Sequence, residues 1–134
     1  MITPLSPDPT DTSLPFWEAA KERRLIVQEC SACGRLRFPA VPFCAPCGSE
    51  EFTWREVSGN GRIATWTRTY QLYHPELADQ VPYTVLLVEL VEQAGLLLYG
   101  NLRPSSADVA VGQPVSAVFE DRPDGWTLIH WRAI

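Results

Sequence analysis

Two short cysteine motifs of the same form constrain the fold of this chain more than any other feature of its sequence. CSACG begins at Cys30 and CAPCG begins at Cys44, with ten residues between the pairs, and together they hold all four cysteines of the chain. Four thiolates from two such pairs can surround one metal ion in the tetrahedral geometry that zinc accepts, and the glycine after each pair lets backbone N–H groups turn toward the sulfurs. We therefore predict that Cys30, Cys33, Cys44 and Cys47 bind one zinc ion.

Other uses of the four cysteines fit the sequence less well. Iron held as in rubredoxin needs the same four thiolates and the same Cys-Gly ending, so it stays an alternative. Disulfides form in oxidising compartments, and the sequence has no feature of an exported protein. A thioredoxin-type redox motif would be a single pair at the start of a helix. Because protein ligands fill all four positions, the predicted zinc site leaves no place for a reacting water and is structural rather than catalytic.

Length, charge and hydropathy limit the class of protein. With 134 residues, the chain can form one modest core, or a small core beside a metal-stapled subdomain. No apolar run reaches the length of a membrane span, and the N-terminus lacks the basic and apolar stretches of a signal peptide, so we expect a cytoplasmic protein without membrane contact. The net charge is −5, and residues 69–134 alone carry eight acidic and three basic residues, which argues against general affinity for nucleic acid.

The first part of the chain is predicted to be a disordered lead-in followed by a helix and a ribbon. Residues 1–13 are rich in Pro, Ser, Thr and Asp and have little to bury. Residues 14–57 begin with a short amphipathic helix that runs to about Arg24, in which Phe16 and Trp17 supply the apolar side. Such a short helix is marginal alone, so these two rings must dock on this protein or on another chain. Strands predicted at 25–29, 35–38 and 52–57 carry the cysteine motifs.

The second part, residues 58–134, is predicted to be all strand. The turn sequence SGNG at 58–61 marks the boundary. Five strands follow, with a long irregular link between the third and the fourth, and that count and order suit a small closed barrel of the OB type. The predicted strands cover 62–74, 83–91, 96–102, 115–120 and 126–131. The predicted fold is therefore mainly β, with an N-terminal short helix and a rubredoxin-like zinc ribbon followed by a five-stranded OB-fold barrel.

This ordered set of motifs resembles a family of acyl-CoA-associated proteins, formerly a domain of unknown function, that joins a zinc ribbon to an OB-fold. The similarity covers about residues 14–134. The matching segments are the two cysteine motifs together with FWE at Phe16, RL at Arg24, FP at Phe38, VSGNG at Val57, PY at Pro82 and VGQPV at Val111. The cysteine pairs alone are widespread among proteins, whereas the ordered set is much more specific.

The resemblance implies a non-catalytic accessory or scaffold subunit of an acyl-CoA enzyme. Its members pair with thiolases, with thiolase-like lipid-transfer proteins or aldolases of sterol side-chain breakdown, or with hydroxymethylglutaryl-CoA synthase, and they help to bind CoA thioesters at a shared interface. The helix and ribbon often carry the partner contacts, so we expect Phe16 and Trp17 to contact the partner enzyme. We choose Arg62, Arg68 and Arg103 as CoA-binding residues, because they are cations in an otherwise acidic barrel.

An enzyme in its own right would need groups for acid–base or nucleophilic chemistry, and the sequence offers few. His74 and His130 are each expected to be solvated or packed rather than catalytic. No nucleophile elbow, phosphate-binding loop or dinucleotide fingerprint is found in the sequence. Binding of single-stranded nucleic acid remains an alternative, because Trp66, Arg68 and Tyr70 alternate along one strand face, although that face could equally stack an adenine and hold a phosphate of CoA.

Overall fold

The computed structural model describes residues 6–134, so the first five residues of the predicted lead-in lie outside the described residues. The described elements are α1 (Leu14–Lys21), β1 (Leu25–Cys30), β2 (Leu36–Arg37), β3 (Phe52–Val57), β4 (Asn60–Thr69), a 3-10 turn (Pro75–Leu77), β5 (Tyr83–Leu90), β6 (Leu97–Asn101), β7 (Pro114–Asp121) and β8 (Thr127–Ala133). The prediction of a mainly β fold with one short helix is confirmed. Among the described residues, no helix has both the length and the apolar character needed to cross a membrane.

The described chain divides into two compact units. The first comprises the residues up to Ser58 together with Phe119–Leu128, and the second comprises Gly59–Val118 together with Ile129–Ile134. The predicted domain limits, 14–57 and 58–134, remain a prediction. Phe119–Leu128, at the tip of the β7–β8 hairpin, belong to the first unit. The sequence pattern of that segment alone does not predict this long-range association.

In the first unit, helix α1 covers one side of a small antiparallel sheet. Phe16, Ala19 and Ala20 form the buried side of the helix, which agrees with the amphipathic pattern of the sequence. The helix ends before the predicted limit at Arg24, because Arg23 adopts a left-handed backbone conformation with φ of 61°. The chain therefore turns sharply into β1, which is the central strand of the sheet.

The sheet of the first unit has the strand order β2-β1-β3, with both pairs antiparallel. β1 and β3 pair along their whole length, from Leu25 opposite Val57 to Cys30 opposite Phe52. β1 is buried at every position except Glu29, and its first three residues are apolar. β2 pairs with it only at Gln28 and Glu29. Cys30, the first cysteine of the first motif, therefore lies at the end of β1, the central strand of this sheet.

Charged contacts hold the tip of the β7–β8 hairpin within the first unit. Arg23 forms two hydrogen bonds of 2.7 and 2.8 Å to the carboxylate of Asp121, and the ammonium group of Lys21 lies 4.2 Å from the ring centre of Trp126. The hydrogen bonds from Arg23 and from the hydroxyl of Thr127 lower the pKa of Asp121 to about 2. Because the Arg23–Asp121 pair is largely exposed, it fixes the orientation of the hairpin tip more than it adds to the free energy of unfolding.

A fully buried glutamine ties the segment between the two cysteine motifs to β1. The side chain of Gln28 is 0% exposed, and its amide donates to the carbonyl oxygen of Val41 over 3.0 Å. Its oxygen accepts from the backbone N–H of Val41 at 2.9 Å and from Nε of Arg37 at 3.0 Å. The side chain of Gln28 therefore supplies the hydrogen bonds that a neighbouring strand would otherwise give to Val41, whose segment between the cysteine motifs has no helix or strand around it.

The second unit is a five-stranded sheet with the order β6-β5-β4-β7-β8. β5 alternates strictly, with Thr84, Leu86, Val88 and Leu90 buried, as expected for a strand that has one face in a core. Leu102, directly after β6, forms a parallel bridge with Trp131 of β8, and this bridge joins the two outer strands of the sheet. Four pairs of neighbouring strands, closed by one parallel bridge, give the strand arrangement of the predicted OB barrel.

Three contacts make the seam between the end of β6 and β8. The N–H of Arg103 donates to the carbonyl oxygen of Trp131 at 2.7 Å, and the N–H of Asn101 donates to Nδ1 of His130 at 3.0 Å. Gly100 allows the indole of Trp131 to pack closely, since a Cβ at this glycine would lie 2.7 Å from the indole nitrogen. His130 is therefore part of the barrel wall, in agreement with its interpretation as a packed histidine.

We predict that Gln28→Leu destabilises the first unit by about 1–3 kcal/mol, because the fully buried side chain would lose three hydrogen bonds, and the N–H of Val41 and Nε of Arg37 would lose their acceptor. Chemical denaturation followed by tryptophan fluorescence measures this change. Gln71→Leu is the matched control, because Gln71 is exposed and its replacement should change the free energy of unfolding by less than about 0.5 kcal/mol. Equal stabilities of the two variants would contradict the proposed role of Gln28.

Candidate functional site

The structure brings the four cysteines together in one cluster. All four sulfur atoms lie within 4.8 Å of one another, with Cys30 and Cys47 separated by 3.6 Å and Cys33 and Cys44 by 3.7 Å. Zinc–sulfur bonds of about 2.3 Å in a regular tetrahedron place the sulfurs about 3.8 Å apart. A disulfide needs about 2.05 Å between its sulfurs, so these are free thiols. The donor set and its spacing fit a tetrahedral metal ion.

The two cysteine motifs fold into knuckles with the same backbone geometry. In the first knuckle the N–H of Cys30 donates to the carbonyl of Arg35 at 2.9 Å, and the N–H of Gly34 donates to the carbonyl of Cys30 at 2.8 Å. The second knuckle, residues 44–49, repeats both bonds at 2.9 and 2.6 Å. Gly34 and Gly48 both have φ of 77°, and an added Cβ would meet nothing within 4 Å, so backbone conformation rather than space selects glycine.

The electrostatics of the cluster favour a bound cation. The backbone N–H of Cys33 is the main cause that lowers the pKa of the Cys30 thiol to about 6. The backbone N–H of Ser49 acts in the same direction on Cys47, but the neighbouring thiols of Cys30 and Cys44 oppose it, and the pKa of Cys47 is raised to about 11. Four negative charges so close together repel one another, and a divalent ion would offset that repulsion.

The predicted partner-contact residues on α1 differ in their surroundings. Phe16 is only 5% exposed and packs against Trp17 and Phe38, with ring centres 5.1 Å apart in both pairs. Phe16 therefore attaches the helix to the ribbon and leaves little of its ring exposed, while the predicted partner contact of the two rings stays a prediction. Trp17 is half-buried and keeps part of its ring at the surface.

The three arginines that were chosen for CoA have different surroundings along one connection, residues 102–113. Arg62 is exposed and donates to a backbone carbonyl in the loop before β7. Arg68 is half-buried, with its Nε donating to the hydroxyl of Thr84 at 2.9 Å and one terminal nitrogen donating to the carbonyl of Ala107 at 3.0 Å. Arg103 begins the same loop that Arg68 contacts. All three arginines thus meet the connection 102–113, with Arg103 and the contact of Arg68 in its first half and the contact of Arg62 near its end.

A pocket of about 230 Å³ lies in the second unit beside Arg103. Its lining residues all carry polar groups and are Asp79, Gln80, Tyr83, Arg103 and Ser105. Sequence reasoning named only the arginine among them. The other lining residues lie in or next to two long irregular connections, 70–82 and 102–113. Long loops on a rigid scaffold often carry binding residues, and this is the sequence signal that could have found them.

The two histidines are engaged with the backbone. Nδ1 of His74 accepts from the N–H of Glu76 at 3.2 Å and so caps the 3-10 turn that follows it. His130 accepts from a backbone N–H in the barrel seam, as described above. Both side chains therefore have a structural role that explains their presence.

We predict that Cys33→Ser abolishes stoichiometric metal binding and unfolds the ribbon, because a lost thiolate removes much of the folding free energy that the metal supplies. Metal analysis of the purified protein and thermal unfolding with and without a strong chelator measure this. Ser31→Ala changes a neighbouring, exposed residue that offers no sulfur, and it should keep one metal ion per chain. A wild-type protein that is equally stable in chelator would rule out the metal-dependent fold.

Models of two protein domains match the chain, one after the other. Residues 17–53 match the rubredoxin-like zinc ribbon domain of ChsH2, and residues 54–120 match the C-terminal OB-fold domain of ChsH2. Together the two matches cover the cysteine cluster and most of the barrel.

Several proteins are similar to this chain in sequence. The chain is 42% identical, over 75% of its length, to a probable enoyl-CoA hydratase alpha subunit of Thermomonospora curvata. It is 35% identical, over 87% of its length, to the 3-oxo-4,17-pregnadiene-20-carboxyl-CoA hydratase alpha subunit of Mycobacterium tuberculosis. The chain spans only about a third of those two proteins, 31% and 36%. It is also 33% identical to a DUF35 domain-containing scaffold protein of Methanocaldococcus jannaschii, over 81% of this chain and 80% of the scaffold protein.

A solved structure agrees with these sequence relationships. A chain of the Ltp2-ChsH2(DUF35) aldolase superposes with a TM-score of 0.80 at 34% identity, over 96% of this chain and 98% of that chain. The resemblance inferred from the ordered motifs is thereby confirmed. The chain belongs to the ChsH2, or DUF35, family of proteins that join a rubredoxin-like zinc ribbon to an OB-fold.

Proposed function

We propose that this chain is a non-catalytic accessory subunit, acting as a scaffold for an acyl-CoA-processing enzyme. The observation that carries the proposal is its similarity, over nearly the whole length of both chains, to a chain of the Ltp2-ChsH2(DUF35) aldolase. Relatives named as scaffold proteins support the same role. The partner that we expect is a thiolase-like protein, of the lipid-transfer or aldolase type, or another acyl-CoA enzyme.

The hydratase names of two relatives do not by themselves make this chain a hydratase. Those proteins are about three times as long as the matched region, so most of their length has no counterpart here. A hydratase must protonate and deprotonate carbon, which needs positioned acid–base groups. The histidines of this chain are engaged with backbone groups instead. We therefore propose that catalysis resides in the partner.

For the metal, we propose a structural zinc ion on Cys30, Cys33, Cys44 and Cys47. Four thiolates with no open position suit zinc, whose role here would be to tie the two knuckles together. Rubredoxin-like iron is the alternative, and it would give a coloured protein. Four free thiols persist in a reducing compartment, which supports a cytoplasmic location.

For the partner contact, we propose the exposed side of α1 that carries Leu14 and Trp17. These residues are three apart in the helix and so lie on the same side, and Leu14 is 40% exposed. A partly exposed indole beside an exposed leucine is typical of the apolar centre of a protein interface. For the CoA thioester, we propose that it lies at the interface with the partner, on the side of the barrel where Arg68 and Arg103 meet one loop.

We predict that Trp17→Ala weakens the complex with the acyl-CoA enzyme by at least tenfold, because truncation of a central interface tryptophan typically costs about 2 kcal/mol or more. The tagged chain is purified from its native cells, and the co-purifying protein is identified and its stoichiometry measured. Trp54→Ala is the matched control, since Trp54 is equally half-buried but lies on β3 beside Phe52. Recovery of no acyl-CoA enzyme with the wild-type chain would refute the proposed function itself.

A further inference from the structure

We propose that the second half of β4 binds the same segment of a second copy of this chain, as a pair of antiparallel strands about a twofold axis. The segment is residues 65–69, with the sequence TWTRT. We name the side of this segment that faces away from β5 the open edge. The inference goes beyond the proposed function, because self-association needs neither the acyl-CoA enzyme nor its ligand.

β4 has neighbouring strands on both sides for only part of its length. It pairs with β5 as far as Thr69, but with β7 only from Asn60 to Arg62. Two further backbone hydrogen bonds join Ile63 to the connection before β7. Within the described part of the chain, no backbone hydrogen bond links residues 65–69 to a segment other than β5. The second half of β4 is therefore an edge strand.

The backbone groups of Trp66 and Arg68 point toward the open edge. On β5, the carbonyl of Thr84 accepts from the N–H of Leu102 at 2.8 Å, so Thr84 bonds away from β4. Thr84 lies opposite Arg68, and Leu86, two residues further on, lies opposite Trp66. Because the backbone groups of an antiparallel strand alternate between its two sides, Trp66 and Arg68 direct their own N–H and C=O groups away from β5. These groups can bind a second strand.

The side chains of the segment do not protect the open edge. Native proteins often prevent association of an edge strand with a proline or with outward-pointing charges. The segment has no proline, and Thr65, Trp66 and Thr67 are all exposed. Its one charged side chain, Arg68, is bound to its own barrel through the carbonyl of Ala107. Threonine and tryptophan also favour the strand conformation.

The sequence of the segment is complementary to itself, which selects a second copy as the occupant. In an antiparallel pair centred on Thr67, Trp66 of each copy lies opposite Arg68 of the other copy, and Thr65 lies opposite Thr69. Within its own strand Arg68 already lies 5.9 Å from the ring centre of Trp66, and a guanidinium group above an indole is a favourable contact. No like charges lie directly opposite each other in this register. A twofold interface requires such self-complementarity.

Exposed apolar side chains extend the surface beyond the segment. A lone pair of strands is only marginally stable in water, so a stable dimer needs apolar contact as well. Tyr70, Leu72 and Tyr73 follow the segment and are 70%, 48% and 69% exposed. In the proposed register Tyr70 lies opposite Ala64 of the second copy, whose small side chain leaves room for the ring. Burial of this aromatic ring would stabilise the dimer.

Sedimentation velocity of the full chain over a range of concentrations tests the proposal. We expect a monomer–dimer equilibrium, with hydrogen exchange at the amides of Trp66 and Arg68 that slows as the concentration rises. Thr67→Lys should weaken the dimer at least tenfold, because two ammonium groups would then face each other at the twofold axis. Thr65→Lys is the matched control. Thr65 is also exposed and lies on the same strand face, but it would lie opposite Thr69, so the dimer affinity should change less than twofold.

Introduced cysteines locate the twofold axis. At the open edge Thr67 would form a non-hydrogen-bonded pair with itself, and the Cα atoms of such a pair lie about 4.5 Å apart, which a disulfide can span. Thr67→Cys should therefore give a covalent dimer on non-reducing electrophoresis after treatment with oxidised glutathione, which accepts the two electrons and two protons of the thiols. Thr65→Cys should give none, because its two thiols would be separated by about 13 Å along the strands.

Three results would overturn the proposal. The first is a wild-type chain that stays monomeric up to millimolar concentration, and the second is equal weakening of the dimer by Thr67→Lys and Thr65→Lys. The third is slowed exchange at Trp66 and Arg68 only when an acyl-CoA enzyme is added, which would assign the open edge to an extended segment of that enzyme. Because the wild-type dimer is measured without a partner, failure here is distinct from failure of the proposed function.

Discussion

The approach of four sulfur atoms to within one coordination sphere is the constraint on which the ribbon depends. Residues 38–51 contain no helix or strand, and they reach β1 mainly through Gln28 and through the cysteine cluster. Without a cation, Cys30 and Cys47 have opposite tendencies to ionise, with pKa values of about 6 and 11. A metal ion bound by the four thiolates would hold the segment in place, and its binding would then be coupled to folding of the ribbon.

Buried polar side chains elsewhere in the chain also serve to hold the backbone. Among the described residues, the buried polar side chains are those of Gln28, Thr84, Thr127 and His130. Gln28 fixes Val41, Thr84 fixes the loop at Ser105, and His130 accepts from Asn101. An enzyme typically keeps some buried polar groups directed at a substrate. Their use here to position loops supports the proposal of a scaffold whose surfaces, rather than reactive groups, carry the function.

Local signals in the sequence predicted most of the fold, and contacts between distant segments account for what they missed. The knuckles follow from cysteine and glycine spacing, and β3 spans the predicted residues 52–57, because each depends on neighbours along the chain. The burial of Phe16 against Phe38 depends on how the helix docks, which a helical pattern alone does not decide. The contacts of Arg62 and Arg68 with the connection that Arg103 begins depend on how the barrel closes, so charge alone could not predict them.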